Sequence, residues 1–202
     1  MLRALSVFDA NIGSARHLSH LFEYLTQKVA GPLSFDDLLR SQVVYSVSAL
    51  DKLVHDLVRI GMVEIYIGRR NPTAKYKAEQ ISLEFHGLLV GAIVPPKEVV
   101  FEQEVVRKLG YVAYQDPDKI SDGLALIWDE PQKWDKIATK MGTTASAAKT
   151  RLRLIVARRN AIVHEADMSP LTTVKTPMTD QECSDITAFM HSCGHAITDL
   201  VR

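Results

Sequence analysis

The sequence predicts an all-α fold, a helical bundle with additional short helices, on three observations. Apolar residues recur at three- and four-residue steps over most of the 202 residues. Glycine and proline fall where those periodic segments begin or end. No segment sustains the two-residue alternation of a strand, although VEIYIG at 63–68 alternates briefly and admits a short edge segment.

In chain order, SARHLSHLFEYLTQKV at 14–29 places Leu18, Leu21, Phe22, Leu25 and Val29 on one helical face. Ser14 is its expected N-cap and Gly31-Pro32 its stop. Residues 36–60 show the clearest period, with Val43, Val47, Leu50, Val54 and Leu57 widened by Val44, Leu53 and Val58, and Gly61 closing the helix. Asn71-Pro72 reads as an N-cap and first turn, followed by a helix carrying Ile81, Phe85, Leu88 and Leu89 to near Gly91. Pro95-Pro96 opens the next, with Phe101, Val105 and Leu109 in register before Gly110. Short helices follow near 118–128 and 131–141. Thr143 or Thr144 caps a long helix to about Glu165, and the last helix runs from near Thr179 to the C-terminus. The breaks at 61–72 and 166–178 read as loops within one domain spanning 1–202.

Hydrophobic residues make up 47% and charged residues 24%, the balance of an ordinary globular chain. Net charge is zero, so any nucleic-acid binding must come from a local patch. Two cysteines, Cys183 and Cys193, without a CxxC pair point to a reducing, cytoplasmic setting. The N-terminal residues lack a signal-peptide pattern. The longest apolar-leaning stretch, Leu88 to Val94, is far short of the ~20 residues that cross a bilayer, so no membrane partner is expected.

Chemistry concentrates in PQKWDKIATKMGTTASAAKTRLRLIVARRNAIVHEAD, residues 131–167. Between 133 and 159, Lys133, Lys136, Lys140, Lys149, Arg151, Arg153, Arg158 and Arg159 face only Asp135, a local +7 in a neutral chain. Beyond residue 160 the balance turns acidic. A charge run alone is usually a solvated helix face; a polyanion such as RNA is the functional reading, with Lys149, Arg151, Arg153 and Arg158 as candidate RNA contacts. Arg159, Asn160 and His164 form R-N-x-x-x-H, in which Asn160 and His164 stack on one helical face. Arginine is a permanently charged fork for phosphate and histidine exchanges a proton near neutral pH. From spacing alone, a capping His164 and a salt-bridged Arg159 would be the plainer reading.

RRNAIVHEAD resembles the signature of the HEPN superfamily, an Arg followed four to six residues later by His, with Asn just after the Arg. WDKIATKMG with the basic helix after it, and SALDKLVHDLV at 48–58, resemble the RiboL-PSP branch. The likeness spans about 36–167, with the N- and C-terminal helices completing the bundle. The resemblance implies a HEPN-type helical bundle, usually dimeric, and in many members a metal-independent endoribonuclease, here a candidate toxin or defence effector. Arg159, Asn160 and His164 would be catalytic, RNA and a second copy of the chain the partners, and an antitoxin or other protein a further partner. Arg158 also satisfies the spacing; the Asn placement favours Arg159. Asp51 and His55, four apart on the earlier helix, would support the site. The resemblance equally admits a silent module that binds RNA, nucleotide or a protein.

Other constellations carry less. Residues 131–153 resemble a helix-turn-helix that could read DNA. His191, Cys193 and His195 form H-x-C-x-H, but Cys193 points away from the face shared by the two histidines, so no metal site is expected. GRR at 68–70 lacks the further glycines and the lysine of a phosphate loop, and no cofactor is expected.

Overall fold

The computed structural model describes every residue except 170, 172 and 173. Among the described residues there are nine helices and no strand: α1 (Leu2–Lys28), α2 (Asp36–Tyr66), α3 (Ala74–Ala78), α4 (Leu83–Gly91), α5 (Lys97–Leu109), α6 (Pro117–Leu124), α7 (Lys133–Lys140), α8 (Ala145–His164) and α9 (Asp180–Val201). The all-α expectation holds. No helix among these residues is long and apolar enough to cross a membrane.

Helix α2 is the axis. Its buried residues, from Leu39 to Ile65, cover most of the helix circumference and leave an exposed strip at Tyr45, Ser48 and Lys52, and α1, α5, α6, α8 and α9 all pack on it. A helix apolar on one stripe packs on one neighbour; one buried over most of its circumference sits at the centre of the bundle. Its outer partners contribute Phe8 and Ile12 from α1, Phe101 and Val105 from α5, Leu152 and Ile155 from α8, and Met190 and Ile197 from α9 to one core cluster.

Several boundaries differ from the sequence expectation. Helix α1 begins twelve residues earlier, at Leu2, and the Ser14 hydroxyl lies inside it, donating to Ala10 O at 3.1 Å. Its buried stripe is Ala4, Phe8, Ile12, Ala15 and Ser19. Small residues make that stripe nearly invisible to hydropathy, whereas the conspicuous Leu21, Tyr24 and Val29 stay exposed. Helix α2 continues through Gly61 to Tyr66, so 63–66 is helical and VEIYIG forms no edge strand. Gly61 is there because Ile127 packs on it: a Cβ would lie 2.6 Å from Ile127 Cγ2. The turn comes at Gly68, whose φ of 75° closes the helix end. The expected helix after Asn71-Pro72 is two pieces, capped by the hydroxyls of Thr73 and Ser82, which accept from Tyr76 N and Phe85 N at 3.0 Å each. Helices α5 to α9 lie where the periodicity puts them, α9 opening with a Thr179–Glu182 capping box.

Helix α7 of the proposed helix-turn-helix is core material. Trp134 and Ile137 are buried, and Trp134 Nε1 donates to Pro117 O at 2.8 Å. The segment 131–153 is therefore packed into the bundle, not held out as a separate DNA-reading unit.

Two predictions follow from the packing. At Gly194 a Cβ would meet Phe8 Cζ at 2.4 Å, whereas at Gly13 nothing lies within 4 Å. Gly194→Ala should destabilise by about 1–3 kcal/mol through overpacking, and Gly13→Ala should stabilise by about 0.5–1 kcal/mol through helix propensity, both read by urea denaturation. Burial pushes the thiols of Cys183 and Cys193 up to about 12. Both should stay protonated and unreactive to a disulfide reagent at pH 8, and both should react once the chain is unfolded.

Candidate active site at the end of helix α8

Helix α8 carries the motif to the molecular surface. Ala148, Leu152 and Ile155 are its buried residues, and past Ile155 the apolar stripe gives way to Arg158, Arg159 and Asn160. The helix ends at His164, followed by two left-handed residues, Ala166 (φ 51°) and Asp167 (φ 60°). Glu165 N and Asp167 N both donate to Ala161 O, at 3.0 and 2.9 Å. Asp tolerates the left-handed region, but Ala there costs about 1–2 kcal/mol, so tertiary contacts must hold this end.

Asp167 supplies them. It is 1% exposed, and its carboxylate lies between two guanidiniums: Arg40 Nε donates to Oδ2 at 2.6 Å, and Arg158 approaches Oδ2 through Nη2 at 2.9 Å and Oδ1 through Nη1 at 2.8 Å. Both arginines also donate to Thr176 O, at 2.9 and 3.1 Å. Thr176 N returns to Asp167 O at 2.9 Å, and Met168 and Lys175 form a bridge. Lys175 Nζ reaches Asp37 Oδ1 at 2.6 Å. The Lys175 hydrogen bond, outweighing desolvation, holds the Asp37 carboxyl below its ordinary value. The segment after α8 is thereby tied to the first turns of α2.

This network separates the two adjacent arginines. Arg158 is committed to Asp167. Arg159 pairs with no carboxylate among the described residues; its Nη1 donates to Asn160 Oδ1 at 3.0 Å, and its buried Nε has no partner among them. Asn160 and His164 are exposed on a shared helical face. The structure brings Arg159, Asn160 and His164 together at one helix end. Sequence reasoning missed Arg40 and Asp167. Their only sequence signals were an Arg in an apolar stripe and an Asp just past the motif.

The basic stretch is less open than its sequence suggests. Lys140 pairs with Asp199 at 3.0 Å, Lys149 with Asp118 at 3.0 Å, and Arg153 with Asp118 at 2.8 Å. Arg151 Nη2 donates to Asp185 O at 3.1 Å and its guanidinium lies over Phe189. Of the four candidate RNA contacts, Lys149, Arg153 and Arg158 are thus engaged with carboxylates from elsewhere in the chain, and only Arg151 lacks one among the described residues. Four of the eight cations in the stretch, Lys140, Lys149, Arg153 and Arg158, are thus paired with carboxylates in three dimensions.

Asp51 and His55 stand away from this site. Asp51 Oδ1 accepts from Tyr114 N at 2.6 Å, and His55 Nε2 lies 2.9 Å from Val112 O, so the pair anchors the connection between α5 and α6. At 1.5 Å per residue they lie about 16–23 Å along α2 from Arg40. The expected supporting role gives way to a structural one, because residues four apart on α2 face whatever packs there.

Removing Asp167 should leave the buried Arg40 and the half-buried Arg158 without their shared carboxylate. Asp167→Ala is expected to destabilise by about 3–5 kcal/mol, and Arg159→Ala by about 1 kcal/mol or less, as measured by chemical denaturation.

Comparisons with known proteins bear on the whole chain. Neither the search of curated proteins nor that of solved structures gave a match. The family model described as RiboL-PSP-HEPN matches residues 10–201, from within α1 to the end of α9. With nine helices among the described residues, a long α8 ending in R-N-x-x-x-H and a match over nearly its full length, the chain belongs to the RiboL-PSP-HEPN family.

Proposed function

We propose that the protein is a metal-independent endoribonuclease that works as a homodimer, with Arg159, Asn160 and His164 as its catalytic residues. The observation that carries this reading is the division between the two arginines. Arg158 is held by Asp167, while Arg159 stands without a carboxylate among the described residues, beside Asn160 and on the helix end that exposes His164. A guanidinium without an acidic partner is available to phosphate.

RNA carries its own nucleophile, so the chemistry needs proton transfer and charge stabilisation. His164 takes the 2′-hydroxyl proton, the 2′-oxygen attacks phosphorus, and the 5′-oxygen leaves as it gains a proton. Arg159 stabilises the charge on the non-bridging oxygens, and Asn160 orients Arg159. The products are a 2′,3′-cyclic phosphate and a 5′-hydroxyl. One imidazole cannot be base and acid at the same instant, so a twofold dimer that brings in the partner's His164 completes the site. The same end exposes Val163 at 46%, Met168 at 39% and Val174 at 63%, apolar surface suited to a second copy. Such an activity inside a cell needs restraint, which fits a toxin or defence effector with a protein antagonist.

The test is purified protein with RNA in EDTA. Wild type should cleave to cyclic-phosphate ends; His164→Ala should lose about 10²–10⁴-fold in rate and Arg159→Ala about 10²–10³-fold. Sedimentation should give a dimer. Equal cleavage by wild type and His164→Ala would reveal a contaminant and defeat the assignment. RNA binding without cleavage, sensitive to Arg151→Ala, would favour a silent binding module.

A further inference from the structure

The opposite end of α1 carries a second cluster of titratable side chains. His191 and His195 lie one turn apart on α9 and present their rings on the same face, 4.3 Å between centroids. Asp9, from α1, meets both. Its Oδ1 lies 2.8 Å from His195 Nε2 and 3.4 Å from His191 Nε2, and one donor atom from each of the three residues falls within 4.8 Å of the others. Cys193, between the two histidines in sequence, is fully buried and takes no part.

We propose that Asp9, His191 and His195 form a binding site for a divalent transition-metal ion of the zinc class, with the remaining coordination position open to water. Zinc bonds to imidazole nitrogen and carboxylate oxygen run about 2.0–2.2 Å, so donor atoms on a tetrahedron sit about 3.3–3.5 Å apart. The Asp9–His191 separation of 3.4 Å already has that value, and the 2.8 Å Asp9–His195 contact has only to open by about half an ångström. Two imidazoles and one carboxylate suit zinc, nickel or copper; magnesium and calcium prefer all-oxygen shells. Each Nε2 gives its lone pair to the metal, which leaves each ring's proton on Nδ1.

The rings are held in place before any ion arrives. Phe8, 1% exposed, lies under both, stacked on His191 at 6.2 Å and tilted against His195 at 6.3 Å. Gly194 makes room for Phe8 between them. Desolvation, the neighbouring His195 and the Arg16 guanidinium hold His191 below its ordinary value against the pull of Asp9. Arg16 is an opposing charge for any cation, but it is exposed and its field is screened by water. A plain Asp9–His195 clamp between α1 and α9 would account for His195. It leaves unexplained why His191 converges on the same oxygen. The cluster is about 20 Å along α1 from Phe22, which packs beside Ile162 near the motif, so its occupancy is separate from the proposed RNA chemistry.

The experiment uses the untagged chain, stripped with EDTA and dialysed, titrated with Zn²⁺ by calorimetry and followed by thermal melting. Wild type should bind one Zn²⁺, melt at higher temperature when saturated, and give tetrahedral d–d bands with Co²⁺; Mg²⁺ at equal concentration should do none of this. Asp9→Asn, His191→Ala and His195→Ala should each weaken binding at least about 100-fold and abolish the melting shift, while Cys193→Ala keeps both. Where an alanine variant fails to fold, His191→Gln and His195→Gln replace it. Wild type that shows neither one-to-one binding nor a melting shift overturns the proposal, as does Zn²⁺ affinity undiminished in all three ligand variants.

Discussion

A helix packed by five others keeps only a narrow solvent strip for its polar groups, and α2, open at Tyr45, Ser48 and Lys52, is in that position. Arg40, Gln42, Ser46 and Asp56 are all buried on it, and each must find a partner, Asp56 on α2 itself and the others on neighbouring elements. Arg40 finds Asp167. Gln42 Nε2 donates to Thr187 Oγ1 of α9 at 3.0 Å, and Ser46 Oγ lies 3.0 Å from the same hydroxyl. Arg59, which donates to Asp56 at 3.3 Å, also pairs with Glu102 of α5. Each of these contacts sets where along α2 a neighbouring helix rests. Hydrophobic contact alone would tolerate sliding by a turn, whereas a buried donor without its acceptor costs roughly 1–3 kcal/mol.

The end of α8 inherits its geometry from this requirement. Asp167 must reach Arg40, so the chain turns back through two left-handed residues at Ala166 and Asp167, and Arg158 is drawn into the same carboxylate. What is left outside is Arg159 with Asn160 and His164. A structural ion cluster and a candidate reactive surface thus share one helical turn, and the rigidity of the first fixes the direction of the second. With Asp167 bound to Arg40 and Arg158, Arg159 pairs with no carboxylate among the described residues.

The two ends of the bundle differ in kind. At the α8 end, Arg40 and Arg158 share Asp167, Arg159 has no carboxylate among the described residues, and apolar side chains such as Val163 and Val174 are left exposed. At the α1–α9 end, three donor groups converge on one another beside a buried aromatic ring. The first arrangement suits a second protein surface and a polyanion; the second suits a small, hard-to-satisfy cation.

The sequence by itself determined the helical class, the positions of α5 to α9, the family likeness and the motif, because apolar period, capping residues and a short string of functional side chains are all local. It did not determine the start of α1, whose buried stripe is built partly of Ala4, Ala15 and Ser19 and shows little hydropathy contrast. Nor could it read Gly61 as a packing glycine, since the reason is Ile127, distant in sequence. Only the tertiary structure decided which of Arg158 and Arg159 is committed to a carboxylate, that Lys149 and Arg153 are balanced by Asp118, and that Asp9 is the partner of the α9 histidines. Each of those is a pairing of charges or dipoles far apart in the chain. Such pairings depend on which helix faces meet, and that is settled by the packing around α2.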